Sequence, residues 1–206
     1  MRRPSYPRLP HHLRVNRDRL LLTADIAAKL ATTVILLVAV LFPDLPQFEG
    51  KAFGSRLVAY PLAVLIVPAV WRFRWRASPF PVAGDLLLTL PFFIDTAGNA
   101  LNLYDTVDWW DDANHFFNWM LLSGGFTALI RPTVDSKWTL AGLCIGFGAT
   151  TAIVWELLEY WTFIRNSPEL ATAYEDTLGD LGLGLSGSIV SGVVALWLSG
   201  RAAARP

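Results

Sequence analysis

The sequence predicts an all-α membrane protein, a bundle of about six transmembrane helices with both termini cytoplasmic. Three observations carry that expectation. The 206 residues are 53% hydrophobic and only 17% charged, with a positive mean hydropathy, which is more apolar surface than one soluble core needs. The apolar residues gather in six runs, each near the ~20 residues that a helix rising ~1.5 Å per residue needs to cross a hydrocarbon core of about 30 Å. The basic clusters before the first run, after the second and fourth, and at the end of the chain fall on one side of a six-span arrangement.

The first run, 20–42, is longer than the apolar region of a signal peptide and has no small-x-small cleavage pattern after it, so it is expected to persist as a helix. Asp25 and Lys29, four apart, share a face and neutralise each other there. The second run, 52–71, contains Pro61 and Pro68, which a membrane helix tolerates where its neighbours satisfy the freed carbonyls. The runs 84–104, 113–130, 138–164 and 180–198 complete the set. One transmembrane domain over 20–199 is therefore expected between a basic tail, 1–19, and a short tail, 200–206, with no linker, low-complexity tract or internal repeat.

Orientation follows from Arg2, Arg3, Arg8, Arg14, Arg17 and Arg19 before the first run, Arg72, Arg74 and Arg76 after the second, Arg131 and Lys137 after the fourth, and Arg201 and Arg205 at the end. Basic loops stay in the cytoplasm, so that side is the cytoplasm and the acidic loops 105–112 and 169–180 face out. A net charge of zero hides this asymmetry. The tail, with His11 and His12, reads as an arm against anionic lipid. Membrane lipids are thus the expected partners, with no nucleic acid. The single cysteine, Cys144, excludes a disulfide framework and a thiolate metal site and is expected to serve packing. Trp109, Trp110, Trp155 and Trp161 are expected in the outer aromatic belt.

The six-span arrangement assigns a height to each polar residue. Asp112 and His115 open the fourth run at the outer surface, and Glu156 stands about 27 Å above Trp138, with Glu159 a turn higher. Asp176 falls just before the sixth run and Asp180 at its first turn, while Asn99 and Asn102 reach the outer half and Asp95 lies near mid-bilayer. Spacing strengthens the grouping, because residues three or four apart share a helix face. Asp112 and His115 form Asp-x-x-His, Glu156 and Glu159 form Glu-x-x-Glu, Asp176 and Asp180 are four apart, and Asp95, Asn99 and Asn102 make one stripe. Small residues, Ser123, Gly124 and Gly125, then Gly142 and Gly146, then Gly184, Gly187, Ser188, Ser191 and Gly192, are placed to let the last three helices touch.

Carboxylates gathered in a low dielectric repel one another unless a cation neutralises them. A divalent metal is the most economical counter-charge, and carboxylate with imidazole suits zinc, manganese, iron or magnesium alike. Such a metal polarises a phosphoryl or carbonyl oxygen or activates water. Three blander readings compete. Asp105, Asp108 and Asp111 read as solvated loop acids; Asn99, Asn102, His115 and Asn118 are able to satisfy one another in a purely structural network; and Asp95 is placed to relay ions in a transporter or ion-conducting protein.

The segments "DDANHFFNW", "WELLEYW" and "YEDTLGDL" together resemble the hallmark segments of the YjdF-like bacterial inner-membrane proteins, small multi-span proteins, over about 86–192. The resemblance implies a bacterial plasma-membrane location and carries over Asp111 or Asp112, His115, Glu156, Glu159, Asp176 and Asp180 as polar site positions, but names no reaction. Its Asp-x-x-x-His form points to Asp111, whereas the shared helix face favours Asp112.

The leading expectation is a metal-dependent membrane enzyme, hydrolase-like, with an outward-facing site that takes a lipid-linked or phosphorylated substrate. Asp112, His115, Glu156 and Asp180 are the expected ligands, and Glu159 or Asp176 a further ligand or general base.

Overall fold

A computed structural model describes residues 11–162 and 164–203, without the side chains of 11–15 and 201–203. The tail residues Arg2, Arg3, Arg8 and Arg205, and the side chains of His11, His12, Arg14 and Arg201, lie outside the described residues. Within them the chain is helical throughout, without a strand. Six long helices, α1 (His11–Leu41), α2 (Phe53–Arg74), α3 (Val82–Ala100), α5 (Trp110–Ile130), α6 (Lys137–Thr162) and α7 (Ala173–Ala203), are joined by short connections, one of which holds the single turn α4 (Leu103–Thr106). Two 3₁₀ turns, Ile164–Asn166 and Pro168–Ala171, link α6 to α7.

Four segments are long and apolar enough to cross a membrane: Asn16–Leu41, Phe53–Arg74, Lys137–Asn166 and Ala173–Gly200. The sequence reading of six such runs differs at α3 and α5, and the reason is where these two helices sit. Each is the middle of the bundle. Their buried faces carry Asp85, Thr89, Asp95, Thr96 and Asn99 on α3, and Asn114, His115, Ser123 and Thr127 on α5, which lowers their hydropathy. The surface has the opposite character, with large apolar side chains such as Leu30, Val34, Leu62, Ile66, Leu157 and Val193 exposed. A polar interior inside an apolar shell is the pattern expected where lipid, not water, is the solvent.

The helices form two groups of three, α1–α2–α3 and α5–α6–α7, joined along a seam between α3 and α5. In the first group Leu36, Ala39, Phe48, Phe53 and Tyr60 form an apolar cluster that ties the α1–α2 connection onto both helices. In the second, small residues set the approach. A Cβ on Gly187 would strike the Phe116 carbonyl oxygen, and one on Gly148 would strike the hydroxyls of Ser188 and Ser123. Those two hydroxyls hydrogen-bond at 3.0 Å, and buried Cys144 packs beside them with its Sγ 3.6 Å from the Ser123 carbonyl. Gly142 and Gly146, expected in the same role, face open space instead, because helix α6 turns Gly148 toward its neighbours.

Four further placements depart from the sequence reading. Helix α1 begins at His11, so it continues through 11–19, and α7 begins at Ala173, which puts both Asp176 and Asp180 within its first turns. Charged residues extend a helix beyond the apolar stretch that hydropathy detects. Asn102 lies past the end of α3 with φ of 58°, so the polar stripe ends at Asn99. Trp155 turns inward against Tyr60, ring centroids 6.3 Å apart, while Trp109 and Trp161 are exposed.

Substituting Gly187→Leu or Gly148→Leu should destabilise the detergent-solubilised protein by about 1–3 kcal/mol through overpacking. Gly142→Leu, with open space around it, should stay within about 0.5 kcal/mol. Thermal unfolding of the three variants checks this.

Candidate functional site

Buried charge has three addresses in this bundle, and each one joins helices that are distant in sequence. At one level Lys29 of α1 reaches both Asp25, 2.7 Å away, and Asp85 of α3, 2.5 Å away, while Thr89 Oγ1 donates to Asp25 Oδ1 at 3.0 Å. The intrahelical pair expected from the sequence is therefore a three-residue bridge between α1 and α3.

The second address is Asp95. Arg56 of α2 donates from Nη1 to both of its oxygens, at 3.0 and 2.7 Å, Tyr60 Oη donates at 2.6 Å, and Tyr104 Oη at 2.9 Å. Asn99 contributes an amide at 3.4 Å. Four donors saturate this carboxylate. Arg56, Tyr60 and Tyr104 were absent from the sequence reading, although one signal was available: an arginine inside an apolar run needs a partner at its own depth.

The third address is His115, on the first turns of α5. Its Nδ1 lies 3.0 Å from Asp180 Oδ1 of α7 and 3.6 Å from Asp111 Oδ1, and its Nε2 lies 3.4 Å from Glu156 Oε1 of α6. His115, Glu156 and Asp180 are buried. Two overlapping triads, Asp111–His115–Asp180 and His115–Glu156–Glu159, each bring their ligand atoms within 4.8 Å of one another. The helix spacing explains the convergence, since Asp111 is one turn before His115 and Glu159 one turn after Glu156, on the faces where α5, α6 and α7 meet.

Of the residues expected at this site, the fold gathers His115, Glu156, Glu159 and Asp180, and sets Asp176 at the exposed rim of the adjoining cavity. Asp112 is exposed and outside both triads; Asp111 takes its place, so that acid is not a solvated loop residue. The four-residue spacing turns Asp111, and not Asp112, toward the α7 side. Asp105 is also engaged, bridged to Lys51 at 2.8 Å, whereas Asp108 is exposed.

Donors around a metal with bonds of about 2.0–2.2 Å stand about 3.0–3.6 Å apart, and the separations at His115 match that spacing. They also match a protonated imidazole bridging two carboxylates. The group formed by Asp111, Glu156, Glu159 and Asp180 around His115 thus has the geometry both of a metal site and of salt bridges through the imidazole.

Beside these groups lies a cavity of about 730 Å³, walled by α2, α3, α5 and α6. All four walls pass from polar to mainly apolar residues, with Thr151 of α6 a polar exception. Along α5 the lining runs Asp111, His115, Asn118 and then Leu122, Phe126, Leu129. On α3 it passes from Asn99 and Asp95 to Phe92 and Leu88; on α6 from Glu159 to Trp155 and Phe147; on α2 from Arg56 and Tyr60 to Ala63 and Val67. No ionisable residue lines the deeper half.

The chain belongs to a family described as predicted membrane protein (DUF2238), whose model matches residues 26–201. This agrees with the resemblance to YjdF-like proteins drawn from the three polar segments, and the family's function is unknown. No curated protein and no solved structure matches the chain.

Replacing Arg56→Met or Asp95→Leu alone strands a buried partner and should cost about 3–5 kcal/mol, whereas the double variant should cost less than the sum of the two. A double-mutant cycle on thermal unfolding midpoints measures the difference.

Proposed function

We propose that this protein is a six-span enzyme of the bacterial plasma membrane, both termini cytoplasmic, that hydrolyses a phosphorylated or otherwise activated head group at a divalent cation held around His115. The observation that carries this reading is the pair of acid-rich triads sharing His115 at the polar end of a cavity that becomes apolar with depth. Asp111, His115 and Asp180, which gather at Nδ1 of the imidazole, serve as ligands, and Glu156 at Nε2 orients the ring from the other side. The cation supplies polarisation of a phosphoryl or carbonyl oxygen. Glu159 accepts the proton of the attacking water, for which its place beside Glu156 and His115 suits it, and Asp176 at the rim holds that water's neighbours in register.

Helices α3 and α5, 19 and 21 residues long, reach about 28–31 Å at ~1.5 Å per residue, which is enough to cross a ~30 Å core when their polar faces are covered by protein. Arg72, Arg74, Arg76, Arg131 and Lys137 all occupy the end opposite the cavity mouth, which supports a cytoplasmic position for that end. An ion pathway fits less well. Polar groups would have to continue from Asp95 past Ala63, Leu88 and Phe126, and the lining there holds no ionisable residue.

Reporter fusions after Pro132 and at the C-terminus should signal cytoplasm, and fusions near Asp108 and Ser167 the outside; an outward C-terminus would remove one span. For the cation, thermal unfolding with manganese and with chelator should show a chelator-sensitive midpoint in the parent. Glu156→Ala and Asp180→Ala should weaken metal binding by about 1–3 kcal/mol and lose that sensitivity, while exposed Asp108→Ala keeps it. A uniform response of all variants would reduce the cluster to a structural bridge through protonated His115.

A further inference from the structure

The deeper half of the cavity has a shape that the head-group chemistry does not require. Its lining extends along α5 from Asp111 to Leu129, about 27 Å at ~1.5 Å per residue, of which the polar part covers only the first two turns. The rest of that length, past Leu122 and Phe126, is apolar and long enough to take a hydrocarbon chain laid along α5.

The cavity also has a side. The seam between α3 and α5 forms its back wall, and α2 and α6 form its flanks. Helix α2 packs on α1 and α3 and has no comparable packing against α5 or α6; Tyr60 and Trp155 meet across the gap only near the polar end. Ile66 lines the cavity while 58% exposed, so the α2 flank is continuous with the lipid-facing surface. The lower flanks are apolar on both sides, with Ala63 and Val67 facing Phe147, whose ring stacks on Phe126 at 4.2 Å.

We propose that the cavity is a binding site for a membrane amphiphile, which enters sideways from the bilayer between α2 and α6 and lays a hydrocarbon chain against Leu122, Phe126 and Leu129, with its head among the His115 and Asp95 groups. The identification of the head as the part acted upon rests on the function proposed above; the chain site rests on the cavity alone. A wholly polar, water-soluble ligand would leave the apolar half without complementary contact. Lateral entry also spares the chain any passage through water, where its methylenes would be unfavourably exposed.

The test uses the full chain in phosphatidylcholine nanodiscs with chelator present. The probe is hexadecanol carrying a diazirine near the far end of its chain, followed by irradiation and mapping of the adducts. Its neutral head makes labelling independent of any cation. Adducts are expected on Leu122, Phe126 or Leu129, reduced at least tenfold by Ala63→Trp in the cavity and unchanged by Leu62→Trp on the exposed face of α2. Ala63→Phe, a smaller filling, provides the same comparison if the tryptophan variant fails to fold. Adducts confined to lipid-facing residues such as Leu62 and Val193, or equal labelling in the Ala63 and Leu62 variants, would overturn the proposal. Labelling of α5 without metal binding keeps the chain site and removes the metal reading, and metal binding without that labelling does the reverse.

Discussion

A carboxylate removed from water must find a cation or several hydrogen-bond donors at its own depth, and the architecture of this bundle depends on how that demand is met. Lys29 meets it for Asp25 and Asp85, Arg56 with two tyrosines meets it for Asp95, and His115 stands between Asp180 and Glu156. Each solution is also a joint: α1 to α3, α2 to α3, and α5 to both α6 and α7. Lipid offers no hydrophobic drive for helices to associate. Polar joints and close backbone contact at residues such as Gly187 and Gly148 therefore decide which faces meet.

The three joints differ in what they leave over. Asp95 has four donors and no spare demand, so it reads as structure that fixes α2 and α4 above the cavity. The α1–α3 joint has two acids for one lysine and an added threonine, and it does not line the cavity. Among the described residues, only around His115 do several acids share one imidazole beside accessible space. Excess charge next to a cavity separates a site from a strut, and the polarity gradient of all four walls says which end of a ligand belongs there.

The helical segments were legible in the sequence because lipid imposes length and hydropathy, but their ends were not. Helices stop where backbone hydrogen bonds stop, so α1 and α7 run beyond their apolar stretches while α3 ends before Asn102. Spacing along one helix placed Glu156 with Glu159 and Asp176 with Asp180, since those relations are local. The choice between Asp111 and Asp112 lay beyond it: both neighbour His115 along α5, and only the position of α7 selects the first. Pairings across helices, Arg56 with Asp95 and Lys29 with Asp85, depend on tertiary adjacency for which periodicity holds no signal. The same holds for the inward turn of Trp155, whose sequence context matches the aromatic belt.

The central claim is that the excess acid around His115 holds a divalent cation, and imidazole coordination is its most direct signature. Pulsed electron paramagnetic resonance on the manganese-loaded protein in detergent reads nitrogen bound to the ion. The account predicts a directly coordinated imidazole nitrogen that disappears in His115→Gln while the helical content is unchanged. A manganese signal without nitrogen coupling, or one identical in the parent and the His115→Gln variant, would contradict it.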